Sequence, residues 1–277
     1  MRKCFLLITG IYANVWCGMA YTYFMQGITT DAMAGYRSTT MDIWQVSGNQ
    51  AGIAEISMPM LSAYYRQRFM LADLADKSIA FVFPTAVVHS GFSCQVFGNN
   101  SYRETRLSLG AARKFGQNFS AGLRFNRYST HVNNKGISQH VLYNVDAGII
   151  SNMGENLRWG CYVLSIVPER VVRGQVSSLP TLMGVGVSYR LYSKVQVMTE
   201  IRLTSVSYYS WTGAVQIQPS DRLLLLTGLQ IDNDNAYMFS FGFAYQLSNY
   251  GIGLALVQHQ RLGITPSFQI SYRFGRK

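Results

Sequence analysis

The sequence predicts an all-β protein, a transmembrane antiparallel β-barrel of about 14 strands with an N-terminal hatch or plug segment. Three observations predict it. Charged residues make up 13% of the 277-residue chain and the mean hydropathy is +0.07, which is apolar for a water-soluble chain of this length. Beyond the amino terminus no apolar run is long enough to cross a bilayer as a helix, so the apolarity is spread through segments of period two. The 25 glycines, 18 tyrosines and 15 phenylalanines suit strands that carry aromatic girdles. The alternative is a large soluble β-protein. It would set charged residues on its outer faces, whereas the polar faces here are small and sparse in charge.

Residues 1–20 read as a secretory signal, with Arg2 and Lys3 ahead of an apolar stretch and the small residues Gly18 and Ala20 near a cleavage point. Cys17 follows Trp16, which disfavours lipoprotein processing. Residues 21–54 do not alternate. They hold Gly27, Gly35, Gly48 and Gly52, and Thr30-Asp31-Ala32-Met33-Ala34 suits a short helix capped by Thr30 or Asp31. Tyr21, Tyr23, Phe24, Met25, Ile43 and Trp44 give this segment enough apolar surface to be a compact plug, against the alternative of a disordered linker.

Residues 55–277 form the predicted barrel. Alternating segments cover 56–66, 78–83, 87–97, 102–113, 118–130, 138–151 and 157–167, then 181–190, 194–205, 208–218, 221–231, 236–247, 251–259 and 264–274. In 194–205, Val195, Val197, Ile201 and Leu203 share one face, and Met198, Glu200 and Arg202 the other. In 236–247, Tyr237, Phe239, Phe241 and Phe243 form the face expected to meet lipid. The tight breaks at 114–117, 191–194, 218–221 and 247–250 fall at one end. The longer, polar breaks at 131–136 and 167–180 fall at the other, the usual asymmetry of short periplasmic turns and longer outer loops. Both termini are then periplasmic, in the outer membrane of a Gram-negative type cell, with lipid and lipopolysaccharide as surroundings. Strand 264–274 is the closing strand and must pair with 251–259 and the first strand, so that no edge stays open in lipid.

The net charge of +11 comes mostly from arginines scattered singly along strands. That pattern fits lumen and headgroup contacts, and no nucleic-acid partner is expected. Glu104, Arg106, Arg124, Asp146, Glu200, Arg202 and Arg273 share the predicted lumen face. They form either a ligand-gripping set or a cross-lumen network of ion pairs that pins the plug; the second is favoured because charges in a closed space must pair. The four histidines, His89, His131, His140 and His259, have no partner at metal-ligand spacing, and Asp232-Asn233-Asp234 lacks the rest of a calcium loop. No catalytic residue, metal or cofactor is expected. Cys94 and Cys161 are either one disulfide or two isolated small apolar side chains, the second favoured.

Two stretches add a resemblance. Asp31-Ala32-Met33-Ala34-Gly35, followed by Asn49-Gln50-Ala51-Gly52-Ile53-Ala54, resembles the amino-terminal region of FadL-like outer-membrane barrels, and more closely their PorV/PorQ branch. At the other end, Phe239-Ser240-Phe241-Gly242-Phe243 and His259-Gln260-Arg261-Leu262-Gly263-Ile264-Thr265-Pro266 resemble the closing hairpin of that branch. The resemblance implies a fourteen-stranded barrel with a hatch whose motif is Asn49, Gln50, Ala51 and Gly52. Gln50 stands where FadL proteins carry proline, which puts FadL-type gating in question. Two functions are implied. One is an accessory barrel of type IX protein secretion, with secretion-system proteins or signal-domain cargo as partners. The other is a transporter of hydrophobic small molecules. Phe274 also resembles the aromatic end of the signal read by the outer-membrane barrel-insertion machinery, although Gly275-Arg276-Lys277 trails it.

Overall fold

The computed structural model describes residues 26–133, 140–166, 171–172, 175–176, 179–205 and 208–275. The expected signal, residues 21–25 of the expected plug and most of the 167–180 loop lie outside them. The barrel strands before that loop are β1 (Met60–Gln67), β2 (Ala75–Phe83), β3 (His89–Gly98), β4 (Tyr102–Phe115), β5 (Phe119–Val132), β6 (His140–Met153) and β7 (Leu157–Leu164). A small hairpin follows, β8 (Val171–Val172) and β9 (Gln175–Val176), which forms a separate two-stranded sheet. The rest are β10 (Leu182–Tyr192), β11 (Val195–Thr204), β12 (Tyr209–Ser220), β13 (Leu223–Asp232), β14 (Tyr237–Leu247), β15 (Tyr250–His259) and β16 (Gly263–Arg273).

Each barrel strand pairs antiparallel with its neighbours, and the ring closes as β1 meets β16 in the register Met60↔Arg273 through Arg66↔Ser267. Closure removes every sheet edge, the condition for strands in hydrocarbon. The fourteen-stranded closed barrel agrees with the sequence expectation. The first strand starts later than expected, at Met60, because residues 56–59 lead from the interior to the wall.

Side-chain alternation decides the two faces. On β11, Ile201 and Leu203 are more than half exposed while Met198, Glu200 and Arg202 are buried. On β14, Phe239 and Phe241 are exposed and Met238 and Ser240 buried. Leu109 (62% exposed) and Leu123 (60%) continue the outward apolar band. A band of this extent is unsustainable in water and belongs in lipid. Aromatic rings cluster at the short-turn end. Tyr250 and Tyr272 lie 4.9 Å apart between centroids, Tyr272 and Phe274 4.8 Å, and Phe274 and Phe81 6.4 Å. Cys94 and Cys161 are both free, on the outward faces of β3 and β7, strands too far apart around the ring to be bridged.

Deleting residues 272–277 removes Tyr272 and Arg273 from the β1–β16 seam and Tyr272 and Phe274 from this cluster. The expected outcome is loss of the heat-modifiable species from the membrane fraction, read by electrophoresis of heated and unheated samples. Wild-type amounts would show that closure and insertion do without these residues.

Candidate functional site

The lumen is occupied by the chain itself. Residues 26–56 form a helix, α1 (Ile28–Ala32), and two short 3₁₀ helices, Ile43–Val46 and Gln50–Glu55, all lodged inside the barrel. Ile28, Met33, Tyr36, Ile43, Trp44, Val46 and Ile53 are almost fully buried and form the protein's main core with Tyr64, Ala80, Met198 and Leu226 of the wall. Trp44 rests on Tyr64 with ring centroids 5.3 Å apart.

The local sequence explains this path. The helix begins one turn earlier than expected, on Gly27, with no side-chain cap. Asp31 is withdrawn from capping because its carboxylate meets the wall: it accepts from the Tyr64 hydroxyl and, at 3.3 Å, from Arg66 Nη1. Gly35, at φ 89°, ends the helix by donating to the Thr30 carbonyl at 2.8 Å. Asp42 caps the first 3₁₀ helix through Trp44 N at 2.9 Å. Burial pushes the Asp31 and Asp42 carboxyls above the usual range, against the opposing pull of Arg66 on the first and of hydrogen bonds on the second. Burial lowers the Arg37 guanidinium, reinforced by the Arg202 charge.

Of the motif residues, Asn49 caps the second 3₁₀ helix by accepting from Ala51 N at 3.2 Å. Its amide nitrogen donates to Ser38 O at 2.6 Å and across to Ile149 O on β6 at 3.1 Å. Gln50 is the first residue of that turn, where proline is tolerated because its missing N–H has no helical partner. In its place the Gln50 amide donates to Gly48 O at 2.9 Å. Ala51 and Gly52 are buried beside them, and a Cβ on Gly52 would stand 2.4 Å from Thr40 O.

The charged lumen residues fall into separate groups. Arg124 Nε donates to Asp146 at 2.7 Å and its Nη1 to Val46 O at 2.7 Å, so this pair grips the inserted segment; Asn126 donates to Asp146 at 2.6 Å. Arg106 is buried near the Tyr128 ring, 5.9 Å from its centroid. Glu200 takes the backbone N–H groups of Arg37 and Ser38 at 2.9 and 2.8 Å, the Ser38 hydroxyl at 2.6 Å and the Tyr162 hydroxyl at 2.9 Å. Arg202 lies 3.3 Å from Glu200 and donates to Thr212 at 2.8 Å and to Gln230. Glu104 accepts from Tyr102 near the long-loop end, within electrostatic reach of Arg68 and Asp76. Arg273 sits half-buried at the short-turn end and joins neither group.

Sequence reasoning missed a third group. Asp76 accepts from Arg66 and Arg68, both at 2.8 Å, and Arg66 carries the chain of charge on to Asp31. Tyr64 and Arg66 are on the inward parity of β1 and Asp76 on that of β2, but Arg68 and Asp76 fall in residues 67–77, which the sequence pattern leaves outside any strand. It also missed a belt of inward glycines. A Cβ on Gly148 would lie 2.0 Å from Asn49 Oδ1, on Gly160 2.0 Å from Ser38 O, on Gly122 2.7 Å from the Gln50 backbone and on Gly228 2.4 Å from the Met33 backbone. These four strands let the inserted segment lie directly against their main chain.

His89 Nδ1 lies 3.0 Å from Ile53 O, and His259 packs edge-on against Phe69 at 5.0 Å. Among the described residues no group of three or more His, Cys, Asp or Glu is placed to hold a metal ion.

No protein-family model and no curated protein matches the chain. Solved structures do. It is similar to the toluene transporter TbuX of Ralstonia pickettii (TM-score 0.69, 11% identity, 90% of this chain and 98% of that one). It is similar to the toluene transporter TodX of Pseudomonas putida (0.70, 10%, 91% and 99%) and to a FadL homologue of Pseudomonas aeruginosa (0.65, 11%, 91% and 100%). The chain therefore has the FadL-type barrel fold.

Proposed function

We propose that this chain is an outer-membrane barrel that passes small hydrophobic molecules, with residues 26–56 serving as the hatch that closes its axial route. The short-turn end then faces the periplasm, together with both termini, and the outward band meets lipid and lipopolysaccharide. The observation that carries this reading is the lumen packed by the chain's own core, within a fold shared with proteins described as toluene transporters. A lumen filled in this way suits a hydrophobic substrate that leaves sideways or follows a small movement of the hatch, and does not suit a water-filled pore for polar solutes.

The test is uptake of labelled toluene by cells whose outer membrane carries this barrel as their added hydrocarbon channel, beside a bilayer conductance measurement. The expected result is uptake several-fold above vector cells with no steady ionic conductance. Uptake equal to vector cells would sink the transport reading.

A second reading, a PorV/PorQ-like accessory barrel in protein secretion, is favoured by one feature: the close seating of the segment on the glycine belt. A permanently sealed barrel serves a partner-holding role as well as a channel. Recovery of secretion-machinery proteins or signal-domain cargo with the native barrel supports it; recovery of the barrel alone, with hydrocarbon bound, counts against it.

A further inference from the structure

The mouth of the barrel at its short-turn end holds a polar cavity of about 170 Å³. Its polar lining is Asn118, Asn152, Glu155, Asn156, Arg158, Arg190 and Gln196. None of these belongs to the groups that hold the inserted segment. Alternation places the arginines on the lumen face, since Gly160 and Tyr162 follow Arg158 inward along β7 and the buried Ser188 precedes Arg190 on β10.

The two strands are neighbours in the register Ser188↔Arg158, and Arg190 N donates to Asn156 O at 2.9 Å. Arg158 and Arg190 are therefore diagonal neighbours on one face, with Cβ atoms roughly 7 Å apart. Like charges so placed repel unless an anion lies between them. Elsewhere in the lumen Arg66, Arg68, Arg124 and Arg202 each meet a carboxylate within 4.0 Å. Among the described residues neither Arg158 nor Arg190 does. Glu55, the acid of the inserted segment at this end, is held by Lys114 at 2.9 Å and Ser120 at 3.3 Å and acts on Arg158 only from beyond ion-pair distance. Arg158 Nε donates to Asn152 Oδ1 at 2.7 Å, which fixes the guanidinium in the cavity wall. The side-chain amides of Asn118, Asn156 and Gln196 add neutral donors around the same space.

We propose that this cavity binds a small oxyanion, a carboxylate or a phosphate, between Arg158 and Arg190. Guanidinium forks match the planar oxygens of a carboxylate and the oxygens of phosphate, and the amides complete the shell. The volume admits an anion of a few heavy atoms, and the polar lining does not suit a hydrocarbon. The site is distinct from the proposed hydrophobic route, so failure of toluene uptake leaves it standing.

The test is calorimetric titration of the full-length barrel in detergent, at low ionic strength, with inorganic phosphate and separately with succinate. Saturable one-site binding of either anion is expected, and which of the two binds identifies the class. Arg190→Gln should weaken that binding by about tenfold or more, the loss that goes with one charge-assisted contact. Arg158→Gln should do the same, and Arg222→Gln, a change at the same end outside the cavity, should leave it unchanged. Arg158 is partly buried and tied to Asn152, so its variant is the one at risk of misfolding. Arg190 is exposed and decides the question, with heat-modifiable migration confirming that the variant is folded. No saturable binding of either anion, or a folded Arg190→Gln barrel that binds as the wild type does, overturns the proposal.

Discussion

Replacing Gly160 by valine should leave little or no heat-modifiable barrel in the membrane. Gly160 lies on β7 with its inward side against the main chain of the inserted segment, where a Cβ would stand 2.0 Å from Ser38 O. That oxygen cannot yield easily. It accepts from Asn49 Nδ2 at 2.6 Å, and Ser38 itself is tied to Glu200 through its N–H and hydroxyl. A branched side chain therefore has to push the segment off the wall. Overpacking a filled interior costs about 1–3 kcal/mol and at times more, and displacing Ser38 adds the loss of its partners. Gly110→Ala is the control. It lies on an inward face too, but the nearest atom to its Cβ would be 3.7 Å away. This change should be neutral, or stabilising by up to about 1 kcal/mol through the unfolded chain. Thermal shift of the folded band measures both. A Gly160→Val barrel that melts with the wild type would show that the segment leaves its seat at little cost, the behaviour of a mobile hatch.

Glu200→Met should lower stability by about 3–5 kcal/mol, because it leaves buried positive charge uncompensated. Glu200 is 1% exposed and serves two backbone N–H groups, two hydroxyls and Arg202. Its removal strips the turn at Arg37 and Ser38 of its acceptor and strands Arg202 in the lumen. The double variant Glu200→Met with Arg202→Met should recover part of the loss, since replacing a whole buried pair by apolar side chains is often neutral. Recovery should stay incomplete, because the N–H groups of Arg37 and Ser38 still lack a partner. The midpoint of unfolding in denaturant, compared across the two singles and the double, measures the coupling. A Glu200→Met midpoint equal to the wild type would mean that the group does not hold the segment.

The faces of β5, β11 and β14 were legible in the sequence because period-two patterning is local: Leu123 and Arg124, or Ile201 and Arg202, announce opposite sides without knowledge of any partner strand. The polarity of the lumen was legible for the same reason. What each charge does there was not. Arg124–Asp146 and Glu200–Arg202 were among the lumen candidates, yet Asp31, Arg66, Arg68 and Asp76 were not, and the last three sit in stretches where the sequence shows only a strand end and a loop. Asp31 reads locally as a helix cap. It became a wall contact because Tyr64 and Arg66 compete for its carboxylate in a space closed to water.

The sequence by itself determined the barrel class, the inward and outward faces, the end at which the short turns gather and the strand that must close the ring. These follow from alternation and from the rule that no strand edge stays open in lipid. Only the tertiary structure decided that Gly122, Gly148, Gly160 and Gly228 line one seat, that residues 26–56 lie on it, and that Arg158 and Arg190 share a cavity with, among the described residues, no carboxylate within 4.0 Å of either. A glycine is silent in a hydrophobic pattern because it has no side chain to place. Its role appears only when another part of the chain, more than sixty residues away in sequence, is seen to occupy the space that side chain would have filled.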